Sequence, residues 1–251
     1  MKKGFWVVVK NIIKKSDIVL EILDARFPEL TRIKKMEEYA FFYKKPVILV
    51  INKADIISET TIENIANKYP NSNSVIVSAK FSKGVHELIK KIKSQTKIEN
   101  AKVAVIGYPN TGKSSLINKL SRGGKAPTSS ESGFTKGLQL ISGKGGLMLF
   151  DTPGVVPFSD RDEIQLGLVS GISPHKLKDP DIVAYELIRI FMENNPSVLE
   201  KAYNVDAKLS PEDFLFEFGK KRNMILKHGL IDERRAAIQL LNDWHEGRIR
   251  L

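Results

Sequence analysis

Residues 107–114 read Gly-Tyr-Pro-Asn-Thr-Gly-Lys-Ser: a glycine, four residues, then Gly-Lys-Ser. A loop of this pattern works only where a buried strand hands over to a helix. There its backbone N–H groups turn inward around phosphate oxygens at the positive end of the helix dipole. Both flanks fit, because residues 103–106 are a continuous apolar run and residues 114–120 carry helical spacing. Lys113 would reach β and γ phosphates and Ser114 would ligate magnesium, with Pro109, Asn110, Thr111, Gly112 and Ser115 completing the cradle. A chain holding such a loop is committed to an α/β fold.

The rest of the first two thirds agrees. Short runs rich in Val, Ile and Leu at 18–25, 47–53, 74–79 and 102–107 read as strands buried on both faces of a parallel sheet. Between them, 31–44, 58–69 and 84–94 carry helix-period apolar positions, as in Leu88, Ile89 and Ile92. Residues 138–142 and 147–151 flank Gly143-Lys144-Gly145-Gly146, which predicts a hairpin and one antiparallel strand at the sheet edge. Beyond about residue 172 strand signals vanish, and 181–193, 211–227 and 232–247 read as helices. Ser210-Pro211-Glu212-Asp213 is a helix start, with a Ser cap, Pro in the first turn and two acids beside the dipole. The expected organisation is an α/β domain over 1–172 and a small all-α domain over 173–251.

Charge follows the same division. The first 174 residues hold 27 Lys/Arg against 16 Asp/Glu, whereas the remainder holds 13 of each, so the net charge of +11 belongs to the α/β part. That excess suits a polyanionic partner. No uncharged apolar run approaches the roughly 18 residues of a membrane span, and Lys10 interrupts the first apolar stretch before a signal-peptide core forms. With no cysteine there is no disulfide framework, thiolate metal site or thiol nucleophile. The expectation is a cytoplasmic chain with no membrane partner. No feature sets its oligomeric state.

Two further motifs sit at strand ends. Asp151-Thr152-Pro153-Gly154 closes the run 147–150, where an acid beside the phosphate loop would hold magnesium and the Gly154 N–H could approach a γ phosphate. Asn52-Lys53-Ala54-Asp55 follows the run 47–51 and resembles the guanine-specificity motif of GTPases. The Asp55 carboxylate can accept from guanine N1–H and the 2-amino group, which adenine lacks, and the Lys53 stem can cover the base. Ser78-Ala79-Lys80, at the end of the next strand, resembles the companion motif whose backbone N–H meets guanine O6.

The order of these motifs is unusual, since both base-binding motifs precede the phosphate loop. The chain thereby resembles the YlqF/YawG family of circularly permuted GTPases over nearly its whole length. Asp24-Ala25-Arg26 is similar to that family's Asp-Ala-Arg signature, and Ser132-Gly133-Phe134-Thr135-Lys136-Gly137 to its switch. Arg234-Arg235-Ala236-Ala237 and Gly247-Arg248-Ile249 are similar less specifically. The resemblance implies hydrolysis of GTP to GDP with Mg2+ held by Ser114, Thr135 and Asp151. It also implies a role in large ribosomal subunit assembly, with rRNA as the polyanion.

Val155 stands where many GTPases have a water-orienting Gln, so Lys113, Asn110, Thr135 and Gly154 are the catalytic candidates. Asn110 either helps hold potassium, as the resemblance implies, or only shapes the loop; a partner could supply the missing group instead. Two rival readings are a nucleotide-gated RNA-binding scaffold with incidental hydrolysis and a small-subunit assembly GTPase. The second is disfavoured by the absence of cysteine and of room for an N-terminal barrel. A metabolic phosphotransferase would leave Asn52-Lys53-Ala54-Asp55 without a role. His86, His175, His228 and His245 are scattered without metal spacing.

Overall fold

The computed structural model describes residues 4–70, 73–123, 140–150 and 163–251. The chain forms two compact units, Met1–Asp55 with Ile62–Phe158 and Ile56–Thr61 with Ser159–Leu251.

In the first unit, helix α1 (Gly4–Lys15) leads into β1 (Ile18–Asp24), followed by α2 (Pro28–Thr31), α3 (Lys34–Phe42) and β2 (Val47–Asn52). Then come α4 (Glu59–Lys68), β3 (Ser74–Ile76), α5 (Val85–Thr96), β4 (Lys102–Gly107) and α6 (Lys113–Leu120). The hairpin strands β5 (Leu140–Ser142) and β6 (Met148–Phe150) complete the sheet. Its order is β3-β2-β1-β4-β6-β5, parallel throughout except for the β5–β6 pair. The expected antiparallel edge strand is therefore β5. Every residue of β1 is buried, as a central strand covered on both faces requires. Ile18, Leu20 and Ile22 pack with Leu88 and Ile92 of α5 and Leu116, Ile117 and Leu120 of α6. The alternate residues Val19, Glu21 and Leu23 point the other way. There Glu21 accepts a hydrogen bond from the Ile33 N–H just ahead of α3.

Two local expectations change. The helix expected over 31–44 is divided, because Thr31 ends α2 and its hydroxyl accepts from the Asp24 N–H at 2.9 Å. Helix α1 was not expected as a helix; it buries Val9, Ile12 and Ile13 on one face.

The second unit is helical: α7 (Glu163–Leu168), a 3-10 turn at Pro174–Lys176, α8 (Pro180–Asn194), α9 (Pro196–Tyr203), α10 (Pro211–Lys221) and α11 (Glu233–His245). Trp244 is fully buried edge-on to Phe191, and its indole N–H donates to Leu168 O at 2.8 Å. Arg234 donates to the carbonyls of Leu177 and Lys178, so part of the resembling Arg-Arg-Ala-Ala segment serves to tie α11 to the turn before α8. The Ser210 side chain caps α10 as expected, accepting from the Asp213 N–H. However, α10 ends at Lys221 instead of running to 227. Asn223 turns the chain at φ 51°, and Ile225 then bridges Ile231. Gly247, at φ 74°, lies against Ile56, where a Cβ would come within 2.4 Å of that side chain. Among the described residues no helix is long and apolar enough to cross a membrane.

Candidate nucleotide site

The sheet order gathers the motifs. Asp24 is in register with Asn52, and Ile22 with Gly107, so β1, β2 and β4 deliver their carboxyl ends side by side. Successive strands run outward from β1 to β3, and the chain then returns to place β4 on the other flank of β1. Ligands of open α/β sheets bind at such a reversal, beyond the carboxyl ends.

The phosphate loop leaves β4 and turns into α6 through Gly112, which adopts φ 95°. A Cβ on Gly112 would lie 2.2 Å from Asn52 Nδ2, so this position requires glycine for both conformation and space. The Thr111 hydroxyl donates to Tyr108 O at 2.9 Å, and the buried Lys113 ammonium also donates to Tyr108 O. Asn110 is exposed at φ 58°, Pro109 and Ser114 are half-buried, and Ser115 is exposed on the first turn of α6.

Asn52 is the tie between loops. Its Nδ2 donates to Thr111 O at 2.8 Å, and its Oδ1 accepts from the Ala79 N–H at 3.0 Å. One buried amide thus joins the base motif, the phosphate loop and the Ser-Ala-Lys loop. The Ser78 hydroxyl donates to Asp55 Oδ1 at 2.6 Å, orienting the half-buried carboxylate. Lys80 is exposed, its ammonium 5.4 Å from the Phe81 ring centre.

Asp24 is more than a strand-end turn. Its buried carboxylate accepts from Arg26 Nε at 2.9 Å, from Arg26 NH2 at 2.7 Å, from the Arg26 backbone N–H at 3.1 Å and from Lys53 Nζ at 2.7 Å. Burial pushes this carboxyl up, but Lys53 and Arg26 more than offset that and hold it at about 2. Burial likewise draws Lys53 down, against the pull of Asp24. Lys53 sits at φ 69°, a strained conformation held by this pairing. From the neighbouring strand, 29 residues away in sequence, the Asp-Ala-Arg signature therefore positions the lysine of the base motif. The one legible hint was an Asp-x-Arg at the end of an apolar strand. Glu21, a lone acid within that strand, belongs to no motif; burial pushes it to about 8, against the Ile33 N–H that lowers it, and among the described residues its Oε2 has no hydrogen-bond partner.

The protein-family model described as 50S ribosome-binding GTPase matches residues 102–204. An uncharacterised GTP-binding protein of Methanocaldococcus jannaschii is 33% identical over 246 residues, covering 96% of this chain and 65% of that protein. The GTPase grn1 of Schizosaccharomyces pombe is 32% identical over 288 residues, covering 99% of this chain and 61% of that protein. The crystal structure of GNP-bound YlqF from T. maritima has the same fold, with a TM-score of 0.68 at 24% identity across 98% of this chain and 95% of that one. The chain therefore shares the fold of YlqF and is similar over nearly its whole length to these GTP-binding proteins. It spans less than two thirds of the length of the two sequence relatives.

The expected base residues, from Asn52 to Lys80, follow β2 and β3, and the expected phosphate residues, from Pro109 to Ser115, follow β4, with β1 between β2 and β4. Thr135, Asp151 and Gly154 lie outside the described residues. Among the described residues no group of three or more His, Asp or Glu side chains could hold a metal.

Proposed function

We propose that this chain binds and hydrolyses GTP and uses the cycle as a switch in assembly of the large ribosomal subunit, with rRNA among its contacts. The observation that carries the nucleotide part is the Asn52 amide joined to both Thr111 and Ala79, beside an Asp55 carboxylate aimed by Ser78. A pocket so built accepts guanine at one end and phosphates at the other. The ribosomal part is supported by the description of the matching family and by the excess of basic residues.

In this reading the loop N–H groups and Lys113 bind the β and γ phosphates. Ser114, Thr135 and Asp151 would hold Mg2+, which supplies charge neutralisation between the phosphates. The Gly154 N–H would sense the γ phosphate, and Thr135 would join the metal only in the GTP state. Val155 cannot polarise water, so intrinsic hydrolysis is slow. Asn110 supports stimulation by potassium at the phosphate bridge; equal rates in sodium and potassium would remove that element. The chain runs from Gly154 into the helical part, so the proposed division of labour is a nucleotide-binding body and a helical body that reports its state, with α7 counted among the helices. Identical proteolysis of segment 155–173 with GDP and with a GTP analogue would refute the coupling. We place this activity in the cytoplasm.

Co-sedimentation with separated ribosomal subunits tests the whole reading. Pelleting with large subunits that needs a non-hydrolysable GTP analogue is the expected result. Pelleting with small subunits would transfer the role to that particle. Val155 favours one second reading, an RNA scaffold with incidental hydrolysis, which requires nucleotide-dependent RNA binding and no stimulation of the rate by ribosomal particles.

A further inference from the structure

Helices α1 and α3, which pack against each other, present aromatic rings and lysines in alternation. Lys35, Tyr39 and Phe42 follow one face of α3 at spacings of four and three, and Trp6 and Lys10 follow one face of α1. The helices cross-link by reciprocal contacts: Lys10 Nζ lies 4.1 Å from the Tyr39 ring centre, and Lys35 Nζ lies 5.2 Å from that of Trp6. Trp6 and Tyr39 meet edge-on at 6.3 Å. Beside them Phe41 is 86% exposed and Phe42 74% exposed, and Phe42 stacks edge-on with Tyr43 at 5.1 Å. Large apolar side chains left this bare on a helix end call for an occupant.

The charge says which. Residues 4–15 and 34–45 contain seven lysines against Glu37 and Glu38, and Glu37 is held by Arg32 through bonds of 2.7 and 2.9 Å. Among the described residues, none of Lys10, Lys34, Lys35, Lys44 and Lys45 forms an ion pair. Rings interleaved with unneutralised ammonium groups suit a ligand that offers flat π faces and a phosphate every few ångströms. Paired RNA hides its base faces, whereas unpaired RNA presents them. We infer that the α1–α3 face is a docking surface for unpaired RNA, with bases stacked on Phe41 and Phe42 and phosphates held by the flanking lysines.

This inference rests on the proposed rRNA contact and specifies where it is made. Phe41 and Phe42 precede β2, and Asn52 ends it. A strand of that length separates them by on the order of 17 Å, so RNA on this face leaves the nucleotide pocket free.

The test is fluorescence anisotropy of the full chain with a labelled 12-nucleotide single strand and with the same strand annealed to its complement. The Phe41→Ala/Phe42→Ala variant should bind the single strand at least about tenfold more weakly, with affinity for labelled GDP unchanged. Lys10→Gln and Lys35→Gln should each flatten the salt dependence by roughly 0.7 of a log unit per log unit. Photocrosslinking of 4-thiouridine RNA to the unaltered chain reads the same contact without any substitution, and adducts should fall within 4–15 and 34–45. Unaltered RNA affinity in the double variant, or adducts confined elsewhere, overturns the surface and leaves the rRNA reading standing. Failure of the unaltered chain to bind either RNA overturns both. A double variant that keeps its RNA affinity but no longer pellets with ribosomal subunits makes this a protein-docking face, which also overturns the proposal.

Discussion

Asp24→Asn should damage this protein out of proportion to the loss of one oxygen's charge. The carboxylate is 1% exposed and faces an Arg26 side chain that is fully buried and a Lys53 that is 20% exposed. With Asn, two cations remain in a pocket that excludes water, and an amide N–H replaces one oxygen that received them. Breaking one member of a buried ion cluster costs about 3–5 kcal/mol, chiefly because the remaining charge is stranded. Opening of β1 and β2 in hydrogen-exchange mass spectrometry should therefore become at least about 100-fold easier at neutral pH.

Acid should mimic the substitution. The folded Asp24 titrates at about 2, against an ordinary 3.8, because Lys53 and Arg26 outweigh its burial. A depressed carboxyl contributes stability that is present above the unfolded value and lost as pH falls through the folded one. The shift corresponds to about 2 kcal/mol, vanishing between about pH 4 and pH 2. Asp24→Asn should lack that component of acid sensitivity, and it should also weaken GDP binding by releasing Lys53. An exchange change below about fivefold, or unaltered acid dependence in the variant, would refute the idea that this cluster anchors the base motif.

Three further outcomes are expected. Asn52→Ala leaves Thr111 O and the Ala79 N–H without their partner, at about 1–3 kcal/mol each, so thermal stability and affinity for labelled GDP should fall together. Glu21 titrates near 8 when folded, because it is buried; its contribution is full below about pH 4.5 and fades as pH rises through 8. Urea midpoints at pH 5 and pH 8 should therefore differ less in Glu21→Gln than in the unaltered chain. Asp55→Asn exchanges an acceptor for a donor, so it should weaken GDP and strengthen xanthosine diphosphate, whose base carries a carbonyl in place of the 2-amino group; unchanged relative affinities in competition binding would exclude Asp55 from the base site.

The strands were legible because each is a continuous apolar run bounded by a polar motif, and the edges expected for β1, β2 and β4 fall within one residue of those observed. Helix α1 was not legible. Its Val-Val-Val run fits a strand as well as a helix, and only burial of Val9, Ile12 and Ile13 separates them. Helix α10 was overextended because its apolar and basic spacing continues past Lys221, whereas the left-handed Asn223 and the Ile225–Ile231 bridge stop it. The Thr31 hydroxyl similarly accepts from the Asp24 N–H and interrupts an otherwise helical stretch.

The sequence by itself determined the phosphate loop, the base motifs and their permuted order, because a tight turn around phosphate or a carboxylate for guanine demands particular residues at short, fixed spacing. The tertiary structure decided what those residues do for one another. Asn52 reaches Thr111 across 59 positions and Ala79 across 27, and Asp24 reaches Lys53 across 29. Such bonds exist only once β1 lies between β2 and β4, and strand order leaves no trace in local spacing. Burial and its partners set the remaining chemistry: a carboxyl group is held near 2 at Asp24, where Lys53 and Arg26 outweigh its burial, and driven to about 8 at Glu21, where burial outweighs the Ile33 N–H and the pull of Arg32.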